Sequence, residues 1–258
     1  MNQSDLNQPP GPPPLPPMPA DELPLGENPN DRVAIVGVLG VIEAVLRHPR
    51  RLIFHLSEGS APGRLIGLLV AATVAFVAVY GVIVGSFSGG VQWWAASLKI
   101  TAGLMVSGAI CLPSLYIFAC LGGSPARLPA VAGALGGLLA LTTLLLIGFA
   151  PVAWIFSEST ASVVMMGWLH LMFWLVAVGF GVRFLSAAFR HFGLRSEAGL
   201  KAWIIIFLLV TLQMTTALRP LVGPGTAAPL LPTEKKFFLA HWLDNLDAGP
   251  RARGDSMR

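Results

Sequence analysis

Hydrophobic and polar positions alternate along this chain in long blocks. Apolar residues dominate five runs of about 17 to 23 residues, at about 66–87, 100–121, 128–150, 161–182 and 202–218. At a rise of about 1.5 Å per residue, each run matches a hydrocarbon core about 30 Å thick. Lipid offers no partner to backbone N–H and C=O groups, so each run must bond to itself as a helix. The pattern predicts an all-α integral membrane protein with a five-helix transmembrane bundle in residues 65–221.

The basic residues predict the orientation of this bundle. One side of the predicted membrane holds Arg47, Arg50, Arg51, Arg64, Arg127, Arg183, Arg190, Arg195 and Lys201. The opposite side holds Lys99 and Arg219 near the helix ends, and the predicted loop at 151–160 has neither Lys nor Arg. Short loops rich in Lys and Arg stay in the cytoplasm. We therefore expect a multi-pass protein of the cytoplasmic (inner) membrane, with its N-terminus inside and its C-terminus outside.

The composition agrees with a membrane protein. The chain is 54% hydrophobic and 12% charged, with a mean hydropathy of +0.70, which is outside the range of ordinary soluble domains. The formal charge of +4 is small, and basic residues do not interleave with aromatic ones, so no nucleic-acid surface is expected. The expected partners are membrane lipids, with other membrane proteins or a second copy of the chain as further possibilities.

The N-terminal 30 residues form a proline-rich segment that includes PPGPPPLPPMP. Proline favours extended polyproline II, so we predict a disordered cytoplasmic tail. A docking peptide and a plain solubilising extension both fit this composition. The segment lacks the basic-then-apolar order of a secretory signal.

Residues 31–64 are predicted to form an interfacial amphipathic segment. Its apolar stretch at 33–45 is too short to span a membrane, and we expect Asp31 to cap the helix. Three arginines, Arg47, Arg50 and Arg51, are expected to face anionic lipid headgroups. Binding to a partner protein is the alternative.

The segment LRHPRRLIFHLSEG carries a family resemblance. Its Arg47, His48, Pro49, Arg50 and Phe54 occupy the stretch where a basic "sPr..F" segment leads into the first span of bacterial Yip1-like membrane proteins. The chain resembles that superfamily over residues 33–221. The resemblance implies the five-span architecture and a role in membrane organisation or trafficking. The acidic DLYGP-like segment of eukaryotic relatives has no counterpart, so their small-GTPase partners are not implied.

Small residues in the runs predict close helix packing. Gly81 and Gly85 are four residues apart, as are Gly133 and Gly137, so each pair shares one helix face. Gly167 extends the same expectation to the fourth run.

A few polar residues inside the runs form a candidate substrate site. Pro113 should kink the second helix beside Ser114 and Tyr116. His170 lies deep in the fourth run, and we expect it to bond to a hydroxyl such as that of Ser107 or Ser114. Gln213 adds an amide in the fifth run. A structural hydrogen bond, a ligand or substrate contact and catalysis are all open for His170.

Aromatic residues are expected at the outer interface. Trp93 and Trp94, in the predicted loop after the first run, should lie at headgroup level. The exterior tail, residues 222–258, contains a second predicted amphipathic helix at 233–246, which includes Trp242.

Sequence motifs of enzymes, metal sites and phosphate-binding loops are absent from the chain, so we expect no enzyme, no metal and no cofactor. The leading hypothesis is a non-enzymatic protein that organises or assembles membrane components through protein or lipid contacts. The alternative is a small transporter or channel subunit with a polar site around Pro113 and His170.

Overall fold

The structure, a computed structural model, describes residues 23–59, 62–86, 92–159 and 163–217. Within these ranges it has seven α-helices and no strand, which confirms the all-α prediction. A short 3-10 helix, Pro29–Arg32, precedes the α-helices. The α-helices are α1 (Gly37–Arg47), α2 (Pro49–Glu58), α3 (Pro62–Ser86), α4 (Gln92–Leu121), α5 (Leu128–Ser159), α6 (Val163–His191) and α7 (Ala198–Ala217). The predicted outer helix at 233–246, with Trp242, lies outside the described residues.

Four of these helices are long and apolar enough to cross a membrane. The candidate spans are Pro62–Gly85, Ala96–Leu121, Leu128–Ser159 and Met165–His191. The fold therefore belongs to the class of multi-pass helical membrane proteins. The fifth predicted run also forms a helix, α7, but its described apolar stretch Ala198–Met214 is shorter than the other four. The count of five spans stays a prediction.

Helix α5 is the centre of the bundle. It packs against α3, α4 and α6, and 72% of its most apolar window is buried, compared with 33 to 39% for the other three long helices. Glycines on α5 allow the close contacts: a Cβ at Gly133 would meet the side chain of Leu56, and one at Gly137 would meet the ring of Phe184. Helix α7 packs on α4, at the edge of this group.

Gly81 marks a close approach of α3 and α4. A Cβ at this position would lie 2.5 Å from the Cα of Ser97, and the Ser97 hydroxyl donates a hydrogen bond to the Ala78 carbonyl at 2.7 Å. The prediction of close packing at Gly81, Gly133 and Gly137 is thus confirmed. It is wrong for Gly167, where an added Cβ would have no neighbour within 4 Å.

The helices extend beyond the apolar runs that predicted them. Helix α4 begins at Gln92 instead of near residue 100, and α6 continues to His191. The predicted loop at 151–160 is helical through Ser159, because α5 runs through Pro151. Proline removes one backbone hydrogen bond but does not end a membrane helix whose other bonds remain.

Helices α4 and α6 end in the same way, and their ends pack together. Gly123 and Gly193 adopt the left-handed conformation, with φ of 79° and 74°. The next residues close the helix ends, because Ser124 N–H donates to Ala119 O and Leu194 N–H donates to Phe189 O, as in a Schellman motif. The two turns also bond to each other, since Arg195 N–H donates to Gly122 O at 3.0 Å. Backbone hydrogen bonds within and between these two turns therefore fix the ends of α4 and α6 to each other.

The predicted interfacial segment forms two helices, α1 and α2, and their apolar faces pack on the bundle. Pro49 is tolerated at the first turn of α2, and His48 separates the two helices. The buried residues of α1 are Val41, Ala44 and Val45, and those of α2 are Leu52, Ile53 and Leu56. Both helices contact α3 and α5, so this apolar surface belongs to the protein core.

One expectation for the N-terminal region is wrong. Asp31 does not cap α1, which begins at Gly37; its carboxylate instead accepts from Gly26 N–H at 3.1 Å and pairs with Arg50 at 3.4 Å. Residues 23–30, which the prediction included in the disordered tail, make defined contacts, since Leu25 packs against the main core and the Leu23 carbonyl accepts from Arg50 at 2.6 Å. Residues before 23 lie outside the described ranges.

Candidate functional site

Three polar side chains lie at a similar depth in the bundle. Tyr80 is six residues before the end of α3, Lys99 is seven after the start of α4, and His170 is seven after the start of α6. At about 1.5 Å per residue, each lies about 10 Å from the same end of the bundle. This end is opposite to the one that carries α1 and α2. The structure thus concentrates titratable groups in one layer.

Tyr80 and His170 are directly paired. The Tyr80 hydroxyl lies 2.7 Å from His170 Nδ1, and the rings meet edge to face with their centroids 5.8 Å apart. Among the described residues, the buried His170 Nε2 has no hydrogen-bond partner. Whichever nitrogen carries the proton, one polar atom of the imidazole is left unsatisfied, which is costly in a buried position. His170 therefore contacts a hydroxyl, as predicted, but this hydroxyl belongs to Tyr80 and not to Ser107 or Ser114.

Ser107 and Ser114 bond to their own helix. The Ser107 hydroxyl donates to Gly103 O at 2.7 Å, and that of Ser114 donates to Cys111 O at 2.9 Å. Hydroxyls in membrane helices commonly donate back to the preceding turn in this way. Neither side chain contributes to the layer of His170.

Lys99 lies beside this pair and is buried, with only 7% of its surface exposed. It lines a cavity of about 70 Å³ between five helices, together with Val77, Leu146, Trp174, Thr211 and Met214. Val77 lies one turn before Tyr80, and Trp174 lies one turn after His170, so the cavity adjoins the Tyr80–His170 pair. No hydrogen bond or ion pair joins the Lys99 ammonium to any described residue.

The sequence reasoning missed Lys99 as a site residue. It placed Lys99 in a loop because the apolar run begins at Ile100. The available signal was the stretch QWWAASLK, which contains no proline or glycine and continues the helix toward Gln92.

The predicted substrate residues do not form a single site. Ser114 and Tyr116 lie five to seven residues before the end of α4, whereas His170 and Gln213 lie toward the opposite end of the bundle. Tyr116 and Gln213 are both half-buried. The separation along the bundle axis is roughly 20 Å at 1.5 Å per residue. One small solute cannot contact both groups at once.

The region around Pro113 instead joins α4 to α7. The Cys111 carbonyl accepts from the Ser114 hydroxyl and also from the indole N–H of Trp203, each at 2.9 Å. Trp203 is fully buried and stacks on Phe207 at a centroid distance of 5.1 Å. These contacts describe a packing joint between two helices.

The arginines predicted at the lipid interface divide into two groups. Arg50 pairs with Asp31, and Arg51 donates to Val33 O at 2.7 Å and to Ala34 O at 2.5 Å. His55 also contacts Val33 O, at 2.9 Å. Arg50 and Arg51 thus hold residues 23–34 against α2. Arg47 is exposed and remains available for headgroups.

The two outer tryptophans lie in the first turn of α4 instead of a loop. Trp94 is 50% exposed, which suits a ring at a membrane interface. The side chain of Trp93 is not among those described. Its interfacial role stays a prediction.

Comparisons with protein-family models, with curated proteins and with solved structures find no match for the chain.

Proposed function

We propose that the protein is a non-enzymatic, Yip1-like membrane protein that organises or assembles membrane components, and that α1 is its contact surface. The observation that carries this proposal is the apolar surface of α1 that faces away from the bundle. Leu39 is 81% exposed and Leu46 is 50% exposed, and Val36, the residue that precedes the helix, is 70% exposed. Because α1 is fixed to the bundle by its opposite face, these side chains are presented in one orientation.

The exposed surface of α1 has two sides. At 100° per residue, Leu39, Ile42 and Leu46 follow one line, and the exposed Glu43 and Arg47 follow the neighbouring line. A helix with this pattern fits the boundary between lipid tails and headgroups, or the groove of a partner membrane protein. The two fixed arginines, Arg50 and Arg51, keep the preceding segment in place beside it.

Six serine and threonine hydroxyls of the helices support a non-enzymatic role. Those of Thr73, Thr101, Ser107, Thr142, Thr143 and Thr211 all donate to the carbonyl four residues earlier. A hydroxyl with its proton bound to the backbone has no general base beside it, which a catalytic nucleophile needs.

The proposed topology has five spans, including α7, with the N-terminus inside and the C-terminus outside, in the cytoplasmic (inner) membrane. Its support is that Arg64, Arg127, Arg195 and Lys201 all lie at the α1–α2 end of the bundle, where the loops are short. Lys99, which the sequence analysis counted as a charge on the outer side, lies inside α4 and not in a loop.

Crosslinking in native membranes tests the organiser proposal. A photoreactive residue at position 39 should capture a defined protein or lipid, while the same residue at Glu43, one turn away on the polar side, should capture little. The paired variant Leu39→Gln and Leu46→Gln should lose the captured component without losing protein abundance. Unchanged capture by that variant would reject α1 as the contact surface.

A small transporter or channel subunit is the second candidate, and the polar layer of Tyr80, Lys99 and His170 favours it. Polar groups inside a membrane bundle mark solute pathways in many transporters. Solute flux in reconstituted vesicles tests this candidate. Flux that is lost in His170→Leu, with partner capture unchanged, would favour transport over organisation.

A further inference from the structure

The basic side chain of Lys99 lines the cavity between the five helices, is only 7% exposed, and has no carboxylate partner among the described residues. Neither ion pair among the described residues is near this cavity. Arg50 pairs with Asp31 in the N-terminal region, and Lys201 pairs with Glu197 at the exposed start of α7. An ammonium group taken out of water without a partner is strongly unfavourable. A group that binds in the cavity and accepts from Lys99 would remove this penalty.

The cavity walls restrict which group can bind. Lys99 brings three N–H donors, whereas the hydroxyl protons of Thr142 and Thr211 already donate to Leu138 O and Phe207 O, each at 2.8 Å. The cavity therefore offers a ligand one positive charge, at the ammonium group of Lys99. A phosphate dianion would bring more charge and more acceptor oxygens than this cavity can satisfy. A singly charged group with few oxygens fits better.

The remaining walls are apolar and the space is small. Val77, Leu146 and Met214 surround it, and Trp174 contributes an aromatic ring. The volume of about 70 Å³ is roughly five times the minimum that one water molecule requires. This space accommodates a carboxylate with a short hydrocarbon body, whose charged end meets Lys99 while its apolar end meets the other walls.

We propose that the Lys99 cavity is a binding site for the carboxylate group of a small or amphiphilic organic anion. The site is distinct from the surface of α1 and does not depend on the organiser function. A carboxylate reaches it either as a free short-chain anion or as the end of a fatty acid from the membrane. The two sources share the Lys99 contact and differ in how long a hydrocarbon chain they bring.

Thermal unfolding of the purified full chain tests this site. We expect sodium butyrate, compared with sodium chloride at equal ionic strength, to raise the unfolding midpoint in a saturable way, since a ligand that binds the folded state stabilises it. Lys99→Met should abolish this rise. Lys201→Met is the matched control, because Lys201 is exposed and paired with Glu197, and it should retain the rise in full.

The arms of the experiment separate the sources. A rise with butyrate assigns a free anion, and a rise with dodecanoate alone assigns a fatty acid. The proposal is overturned if neither carboxylate raises the midpoint, or if Lys99→Met responds as the wild type does. Should Lys99→Met fail to fold, Leu146→Phe keeps the cation and fills the cavity. Loss of the carboxylate response in that variant would support the site, and a full response would reject it.

Discussion

The Tyr80 hydroxyl and His170 Nδ1, 2.7 Å apart, join α3 to α6 in the half of the bundle that lies away from α1 and α2. These residues are ninety positions apart in sequence, and the contact is a direct side-chain hydrogen bond between two of the long apolar helices. An interhelical hydrogen bond of this kind contributes on the order of 1 kcal/mol in a membrane. Its removal also leaves a buried imidazole with both nitrogens unsatisfied.

Tyr80→Phe should therefore lower the free energy of unfolding by about 1 to 2 kcal/mol. Equilibrium unfolding in mixed detergent micelles measures this change. The same substitution in a His170→Leu background should cost less, because the partner is already gone. Equal costs in the two backgrounds would mean that the hydrogen bond contributes nothing.

Gly81→Ala should destabilise the α3–α4 contact by about 1 to 3 kcal/mol, because the added methyl group would lie 2.5 Å from the Cα of Ser97. Backbone atoms cannot move aside as the end of a side chain can. Gly67→Ala is the control on the same helix, since a Cβ there meets nothing within 4 Å and alanine favours the helix. A loss of stability of equal size at both positions would contradict the close approach.

The sequence predicts the helices more reliably than their ends or their contacts. Apolar runs identify α3 to α6 because the lipid requirement acts along a continuous stretch of chain. The same signal misses the start of α4, where Gln92 and Lys99 are polar, and the end of α5 beyond Pro151. Hydropathy detects lipid-compatible residues, whereas a helix continues wherever its backbone bonds can close.

The polar layer was predicted only in part, for a different reason. His170 was recognisable because an ionisable residue in an apolar run is rare. Its pairing with Tyr80 depends on how α3 and α6 pack, and no local pattern encodes that contact. The small residues did carry packing information at Gly81, but the same reasoning was wrong for Gly167, because spacing does not tell which face meets another helix.

Arg50→Gln should release residues 23–31 from α2, while Arg51 and His55 still hold Val33 and Ala34. The Arg50 side chain is 19% exposed and that of Asp31 only 4%, so the substitution leaves a buried carboxylate without its charged partner. We expect a loss of about 2 kcal/mol. Hydrogen exchange should show faster exchange at Gly26 and its neighbours. Arg47→Gln is the control, because Arg47 is exposed, and its effect should stay within about 0.5 kcal/mol.

The Cys111 carbonyl beside Pro113 leads to a final prediction, because it has two donors. Trp203→Phe removes the indole N–H and part of a fully buried ring, and should cost about 2 to 3 kcal/mol. Ser114→Ala removes the other donor and leaves the indole bond, so its cost should stay below about 1 kcal/mol. Unfolding measurements on both variants compare the two donors at one acceptor.

If Ser114 were instead a substrate contact, Ser114→Ala would alter solute flux while the unfolding free energy stayed the same. A large loss of stability in Ser114→Ala and a small one in Trp203→Phe would show that the α4–α7 joint does not depend on the tryptophan.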